Sequence, residues 1–200
     1  MISLKICRTK EKNDMQKLVT NITFISGYEG KIKQLQAYLQ IPIAHKKLDL
    51  IEIQSLDTRE VIAYKTKEAY TEIGTPVLVE DTSLVFHILG RLPGTLVKWF
   101  LKELGHQKLC RLADLDPKRQ ATATVSYGLY DGKSLQIFSA EMQGHIALHP
   151  KGENGIGWDS IFIPEGTDKT RAEMNDEELA AYSPRRMAAE KLEAYLKSHL

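Results

Sequence analysis

The run Pro76-Val77-Leu78-Val79-Glu80-Asp81-Thr82-Ser83-Leu84-Val85-Phe86 restricts the fold more than any other stretch of the chain. Val77-Leu78-Val79 is unbroken aliphatic sequence with two β-branched residues, the composition of a short strand buried on both faces. That strand is expected to end at two carboxylates and two hydroxyls, after which aliphatic residues resume at Leu84. Buried carboxylates are costly unless paired, hydrogen-bonded or bound to a metal. In open α/β sheets, ligands sit beyond the carboxyl ends of the strands. A Glu-Asp pair there is better explained by a ligand than by packing, and Asp81 is where chemistry is expected.

A chain of 200 residues fits one domain or two small lobes sharing a core. The formal net charge of +1 gives no basic excess of the kind that marks a sequence-independent nucleic-acid binder. Cys7 and Cys110 lie far apart without metal-ligand spacing, which reads as two unpaired thiols in a reducing compartment. No apolar run approaches the roughly 20 residues needed to span a bilayer, and the apolar part of Met1–Ile6 is too short for a secretory signal. The expectation is a cytoplasmic protein with neither membrane nor nucleic-acid partner. Residues 1–20 read as an extension, with an edge strand at Ser3–Cys7 or no order, and residues 21–200 as one domain.

Ile22–Ile25 is an apolar first strand, followed by Ser26-Gly27-Tyr28-Glu29-Gly30-Lys31 and a helix marked by Ile32, Leu35 and Leu39. A cation such as Lys31 at a helix start is opposed by the helix dipole unless an anion sits beside it. Read alone, the segment is an ordinary strand-to-helix turn with a surface lysine. Pro42–Leu50 reads as a second strand with Glu52 beyond it. Thr58 is the expected N-cap of a helix that buries Ile62, Thr66, Ala69 and Ile73 and stops at Gly74. Lys65 borders that buried side, and the default for such a lysine is to reach solvent.

Past Pro93-Gly94, a helix from Thr95 to Leu104 buries Val97, Phe100, Leu101 and Leu104 and leaves Lys98 and Lys102 on its other side. A second short helix covers Gln107–Ala113. Ala121–Tyr130 and Leu135–Ala147 form a hairpin across Asp131-Gly132-Lys133, since Asp-Gly between two such runs is a strong turn signal. Gly152–Phe162 is glycine-rich, so backbone can approach a ligand closely. Within it Trp158 offers either a stacking face or a core side chain, and Asp159 an acceptor for a base edge. Ser183 caps a last helix with Pro184 at its first position. Arg185 and Arg186 in its first turn oppose the dipole, as Lys31 does, and point to an anion. Carboxylates that hold Mg²⁺ beside phosphates, with cations neutralising phosphate oxygens, would use these parts together.

In this order Ser26-Gly27…Lys31, Asp49-Leu50-Ile51-Glu52, Val79-Glu80-Asp81-Thr82, Leu92-Pro93-Gly94…Lys98-Trp99-Phe100, Gly157-Trp158-Asp159 and Ser183-Pro184-Arg185 resemble the inosine triphosphate pyrophosphatase family over roughly Ile22–Leu196. The resemblance implies an α/β fold: an elongated central mixed β-sheet flanked by helices, two lobes with the cleft between them, and a homodimer. It implies a hydrolase that converts ITP, dITP or XTP to the monophosphate and pyrophosphate with Mg²⁺ or Mn²⁺. By motif position, Asp81 is similar to the catalytic, metal-linked aspartate, assisted by Glu80, and Glu52 to the second metal carboxylate. Ser26, Gly27 and Lys31 match the phosphate loop, Lys65 and Lys98 the phosphate-binding lysines, and Thr82 a substrate contact. Gly157, Trp158, Asp159 and Arg185 match the base-recognition side.

Four positions depart from the family pattern. Tyr28 replaces an asparagine, Ile156 an aromatic, Pro184 a histidine, and Leu179 a lysine. The metal and phosphate half is intact and the base-reading half is eroded, which implies retained hydrolysis with altered base selectivity. The competing expectation is a non-catalytic nucleotide sensor on the same fold.

Overall fold

The computed structural model describes residues 21–199. The edge strand expected at Ser3–Cys7, the extension that contains it and Cys7 lie outside the described residues. Within them a seven-stranded mixed sheet runs in the order β2-β1-β3-β5-β6-β7, with β4 paired to β3. The strands are β1 (Thr23–Ile25), β2 (Ala44–Lys46), β3 (Val77–Phe86), β4 (Pro93–Gly94), β5 (Gln120–Tyr130), β6 (Leu135–Ile146) and β7 (Phe162–Pro164). The helices are α1 (Glu29–Leu39), α2 (Thr58–Ile73), α3 (Val97–Leu112), α4 (Asp176–Ala181) and α5 (Pro184–Lys197). β1 lies parallel to β2 and β3, while β3, β5, β6 and β7 are antiparallel to one another in turn.

β3 does not end at its acids, as the sequence led us to expect. It continues through Glu80 and Asp81 to Phe86 and pairs with β5 along its whole length. What stops is its neighbour: β1 ends at Ile25, opposite Val79, and β4 begins pairing only at Leu84. Glu80 to Ser83 therefore face a gap between β1 and β4. A strand does end beside the two acids, but it is β1 and not β3.

Side chains alternate across a strand, and this alternation separates the two acids. Leu78 joins Phe24, Leu35, Tyr127 and Leu192 in a core under α1 and α5, so Glu80 shares that face. Val77 and Val79 pack with Ile62 and Ala69 of α2 on the other face, which is the face of Asp81. Farther along, Leu84 and Phe86 belong to a core with Val97, Leu109, Trp158 and Phe162. One sheet thus carries two lobes, with the gap beside β3 between them.

α2 begins one residue earlier in its capping than expected. Asp57, not Thr58, is the N-cap, and its carboxylate accepts from the Arg59 N–H at 2.8 Å. Gly74 ends the helix at φ 75°, which its lack of a Cβ allows. The strand expected over Pro42–Leu50 shrinks to Ala44–Lys46, whose three residues are all exposed. Beyond it Lys47 to Asp57 contains no helix or strand, and this irregular segment carries Glu52 to the cleft. α3 does divide where two helices were expected, at Gly105 with φ 71° and ψ 166°. The hairpin holds its expected turn, with the Asp131 carboxylate accepting from the N–H groups of Lys133 and Ser134.

α2 approaches the sheet closely because β5 offers it a glycine. A Cβ on Gly128 would lie 2.1 Å from Thr66 Oγ1 and 3.1 Å from Ile62 Cγ1. Gly128→Ala is expected to lower stability by about 1–3 kcal/mol, the usual cost of overpacking a tight contact. Urea unfolding of the two proteins measures it; equal midpoints would mean that α2 can shift without cost.

Candidate active site

The gap beside β3 opens into a cleft of about 850 Å³, within the size range of small-molecule and cofactor sites. Its walls come from the β1–α1 loop, the irregular segment before α2, β3, α3 and the Gly155–Asp159 turn. All the residues predicted for the site border it, including Ser26, Gly27, Lys31, Glu52, Lys65, Thr82, Lys98, Gly157 and Arg185. They divide between the two faces of β3.

On the α2 face, Lys65 is buried instead of solvated. Its Nζ donates to Asp81 Oδ1 at 2.9 Å and to Glu52 Oε1 at 3.3 Å. Lys98, exposed on α3, donates to the same Glu52 oxygen at 3.3 Å. The lysine expected to snorkel is therefore the bridge between the two acids. Asp81 Oδ2 is buried and has no hydrogen-bond partner, which is costly unless a ligand, ion or water completes it.

Different surroundings push the two carboxyls apart. Burial raises the Asp81 pKa above its ordinary value, and the Lys65 charge offsets this only in part. Burial acts on Glu52 in the same direction, but Lys65 and Lys98 together outweigh it and hold its pKa low. Burial alone would lower the Lys65 pKa; Asp81 and Glu52 overcome that and raise it. Two carboxyls with shifted and opposed pKa values are suited to unequal roles, one permanently ionised and one able to take a proton.

On the other face, Glu80 has no exposed side-chain surface. Arg185 donates to it through Nε at 2.8 Å and Nη2 at 3.1 Å, and Lys31 Nζ lies 3.2 Å from it. This is the anion that Lys31 and Arg185 called for at their helix starts, supplied by the chain itself. Burial opposes the charge on Glu80, but Arg185 and Lys31 overcome it and hold its pKa at about 2. Glu80 points away from Asp81, so its expected part as a catalytic helper gives way to that of an anchor. Arg186 faces solvent and pairs with Glu190.

The Gly155–Asp159 turn differs in two respects from expectation. Trp158 borders the cleft but is only 7% exposed and meets Phe162 edge-on at 5.5 Å; it is a core side chain, not an open stacking face. Asp159 is not a free acceptor. Its Oδ1 accepts from Arg171 Nε at 2.7 Å and its Oδ2 from the Ile156 N–H at 2.7 Å, so the carboxylate closes the turn.

Sequence reasoning missed several residues here. Gln34 accepts from Arg185 Nη1 at 2.7 Å; its place one turn after Lys31 was the available signal. His45 Nε2 donates to the Ser26 carbonyl at 2.9 Å, and His106 Nε2 to that of Gly157 at 2.8 Å. The break at Gly105 marks His106, whereas nothing local marks His45.

Glu52 and Asp81 are hard oxygen donors, and Asp81 Oδ2 is an orphaned buried oxygen. Two carboxylates fit a Mg²⁺ ion that shares its remaining positions with water and substrate phosphates. No group of three or more potential metal ligands occurs among the described residues. The described residues contain no helix long and apolar enough to cross a membrane.

The pattern of the Ham1 family matches residues 22–195. Inosine triphosphate pyrophosphatase 2 of Trypanosoma cruzi is 41% identical over 178 residues, covering 87% of this chain and 91% of its own. The inosine triphosphate pyrophosphatase of Schizosaccharomyces pombe is 38% identical, covering 90% and 97%. Among solved structures, a HAM1 protein from Coxiella burnetii superposes with a TM-score of 0.77 at 24% identity, covering 90% of this chain and 99% of its own. The Staphylococcus aureus Ham1 protein gives 0.76 at 24% identity, covering 90% and 100%. These two support the mixed sheet flanked by helices.

Proposed function

The chain belongs to the Ham1 family, and on that premise we propose that it hydrolyses a nucleoside triphosphate to the monophosphate and pyrophosphate, with ITP, dITP or XTP as the substrate class. The observation that carries this reading is the Glu52–Lys65–Asp81 bridge, with one Asp81 oxygen buried and unpartnered inside a nucleotide-sized cleft.

Glu52 and Asp81 would hold Mg²⁺, or Mn²⁺ in its place; when bound, the ion supplies positive charge to the phosphate oxygens and makes a coordinated water more acidic. Asp81, whose Oδ2 is buried and without a partner, would orient a water and accept its proton. Glu52 remains ionised throughout. Lys65 lies beside both acids and Lys98 beside Glu52, and the two offer charge to the phosphates as pyrophosphate departs. Ser26 and Gly27 from the β1–α1 loop and Lys31 from α1 border the same chain of phosphates, and Thr82 projects into the gap from β3. Gly157, Trp158, Asp159 and Arg185 form the base side, Asp159 by shaping its turn. Such a substrate belongs to the cytoplasmic nucleotide pool, and the family resemblance adds a homodimer, which sedimentation can check.

Base discrimination is expected to be weaker than the intact family pattern would give. Pro184 and Leu179 offer no side-chain hydrogen bond, and a site with fewer polar readers rejects wrong bases less strongly. A panel of ITP, XTP, ATP and GTP, assayed for pyrophosphate with Mg²⁺ and with excess chelator, tests the reading. Turnover of ITP and XTP ahead of ATP and GTP, lost on chelation, is the expected result. Tight triphosphate binding without product from any of the four would overturn it in favour of a nucleotide sensor.

A further inference from the structure

We propose that Arg171 is a positioning residue for the base, tying the Gly155–Asp159 turn to the start of α5, an inference that rests on the nucleotide reading above. Both segments border the cleft, the first through Gly155 to Asp159 and the second through Pro184 and Arg185. Arg171 is 1% exposed and stands behind them, outside the cleft wall. One guanidinium holds both. Its Nε donates to Asp159 Oδ1 at 2.7 Å. Its Nη1 donates to the carbonyl of Tyr182, in the two-residue joint between α4 and α5.

The link runs on from each end to the cleft wall. Asp159 Oδ2 accepts from the Ile156 N–H at 2.7 Å, so the carboxylate joins Arg171 to the backbone of the turn. Beyond the Tyr182 carbonyl, Ser183 caps α5 by accepting from the Arg186 N–H at 3.1 Å. Arg185 follows, with its bonds to Glu80 and Gln34. Holding the turn in place does not need this charge. The Ala172 N–H already donates to the Asp159 carbonyl at 3.1 Å, and the Asn154 N–H to the Ala172 carbonyl at 3.0 Å. Apolar side chains often replace a buried ion pair without loss of stability. They cannot, however, bind a carboxylate and a carbonyl from one rigid plane, as the guanidinium fork does. Alignment of the two base-side segments is what the buried arginine adds.

Calorimetric titration of inosine monophosphate and of inorganic pyrophosphate separates the base from the phosphates. Arg171→Lys keeps a cation beside Asp159 but loses the fork. It is expected to weaken inosine monophosphate about 10-fold, the equivalent of one well-made hydrogen bond, with pyrophosphate affinity unchanged. In turnover it raises KM for ITP and leaves kcat unchanged. Arg171→Met combined with Asp159→Asn removes both buried charges, strands neither, and should show the same loss. Arg119 provides the comparison: it is also buried, and its partners Asp114, Cys110, Ile146 and Ala147 do not border the cleft. Arg119→Lys should lower Tm and leave both affinities at the parent's values. Parent-like inosine monophosphate binding in Arg171→Lys or in the double variant would overturn the proposal alone. Equal losses for the two probes, or an Arg119→Lys protein that binds inosine monophosphate as weakly as Arg171→Lys, would do the same. A parent protein that binds neither probe would overturn the nucleotide reading as well.

Discussion

Asp81→Asn is expected to lower the rate of pyrophosphate release about 10³-fold, within the range contributed by a positioned base. Asparagine keeps the size of the side chain but neither binds a metal as a carboxylate does nor takes a proton from water. Lys65 keeps Glu52 as a counter-charge at 3.3 Å, so the loss should appear in rate without loss of fold. Steady-state kinetics, with circular dichroism as a folding control, measures it. Near-normal hydrolysis by Asp81→Asn would remove Asp81 from the mechanism.

The opposite pattern is expected one residue earlier. Glu80→Ala leaves Arg185 and Lys31 beside an emptied space, and stranding a buried charge costs about 3–5 kcal/mol. For a domain of this size that corresponds to a fall in Tm on the order of 10 °C. The pH dependence carries the same signature. The Glu80 pKa is held at about 2 against an ordinary 4.5. Its contribution is therefore fully present above the ordinary value and is lost as pH falls through the lower one. In Glu80→Gln that acid slope should flatten, whereas kcat should change far less than in Asp81→Asn. Thermal melts from neutral to strongly acid pH test this. An unchanged Tm in Glu80→Ala, with the slope intact, would show that Arg185 and Lys31 do not depend on it.

These contrasts show where the sequence was informative. The aliphatic run, the glycine stop of α2 and the Asp-Gly turn are local signals, and each produced its element. Lys31 and Arg185 were also legible as cations out of place. Their anion was not, because Glu80 lies 49 and 105 positions away along the chain and reaches them only through the pairing of β1 with β3. Lys65 was misread for a related reason. Its helix position is ordinary, and only the close contact at Gly128 draws α2 near enough for the ammonium to find two acids. The fate of Trp158 likewise depended on Phe162 and the distant end of α3. Irregular backbone was hardest to foresee, since Lys47–Asp57 has no period to read and yet delivers Glu52.

The unbroken ladder between β3 and β5 has a consequence for how this site can change over time. Neighbouring residues on a strand face opposite ways, so a slip of one position would exchange the places of Glu80 and Asp81. The reactive carboxyl would fall among the arginine and tyrosine of one layer, and the anchoring carboxyl among the lysines of the other. Ten consecutive pairings, from Val77 with Tyr130 to Phe86 with Ala121, guard against that exchange. Insertions and deletions should therefore be tolerated in the loops at the rim of the cleft and lethal to activity within this pair of strands. The alignment of two strands, more than any loop around them, keeps the two carboxyls in separate layers.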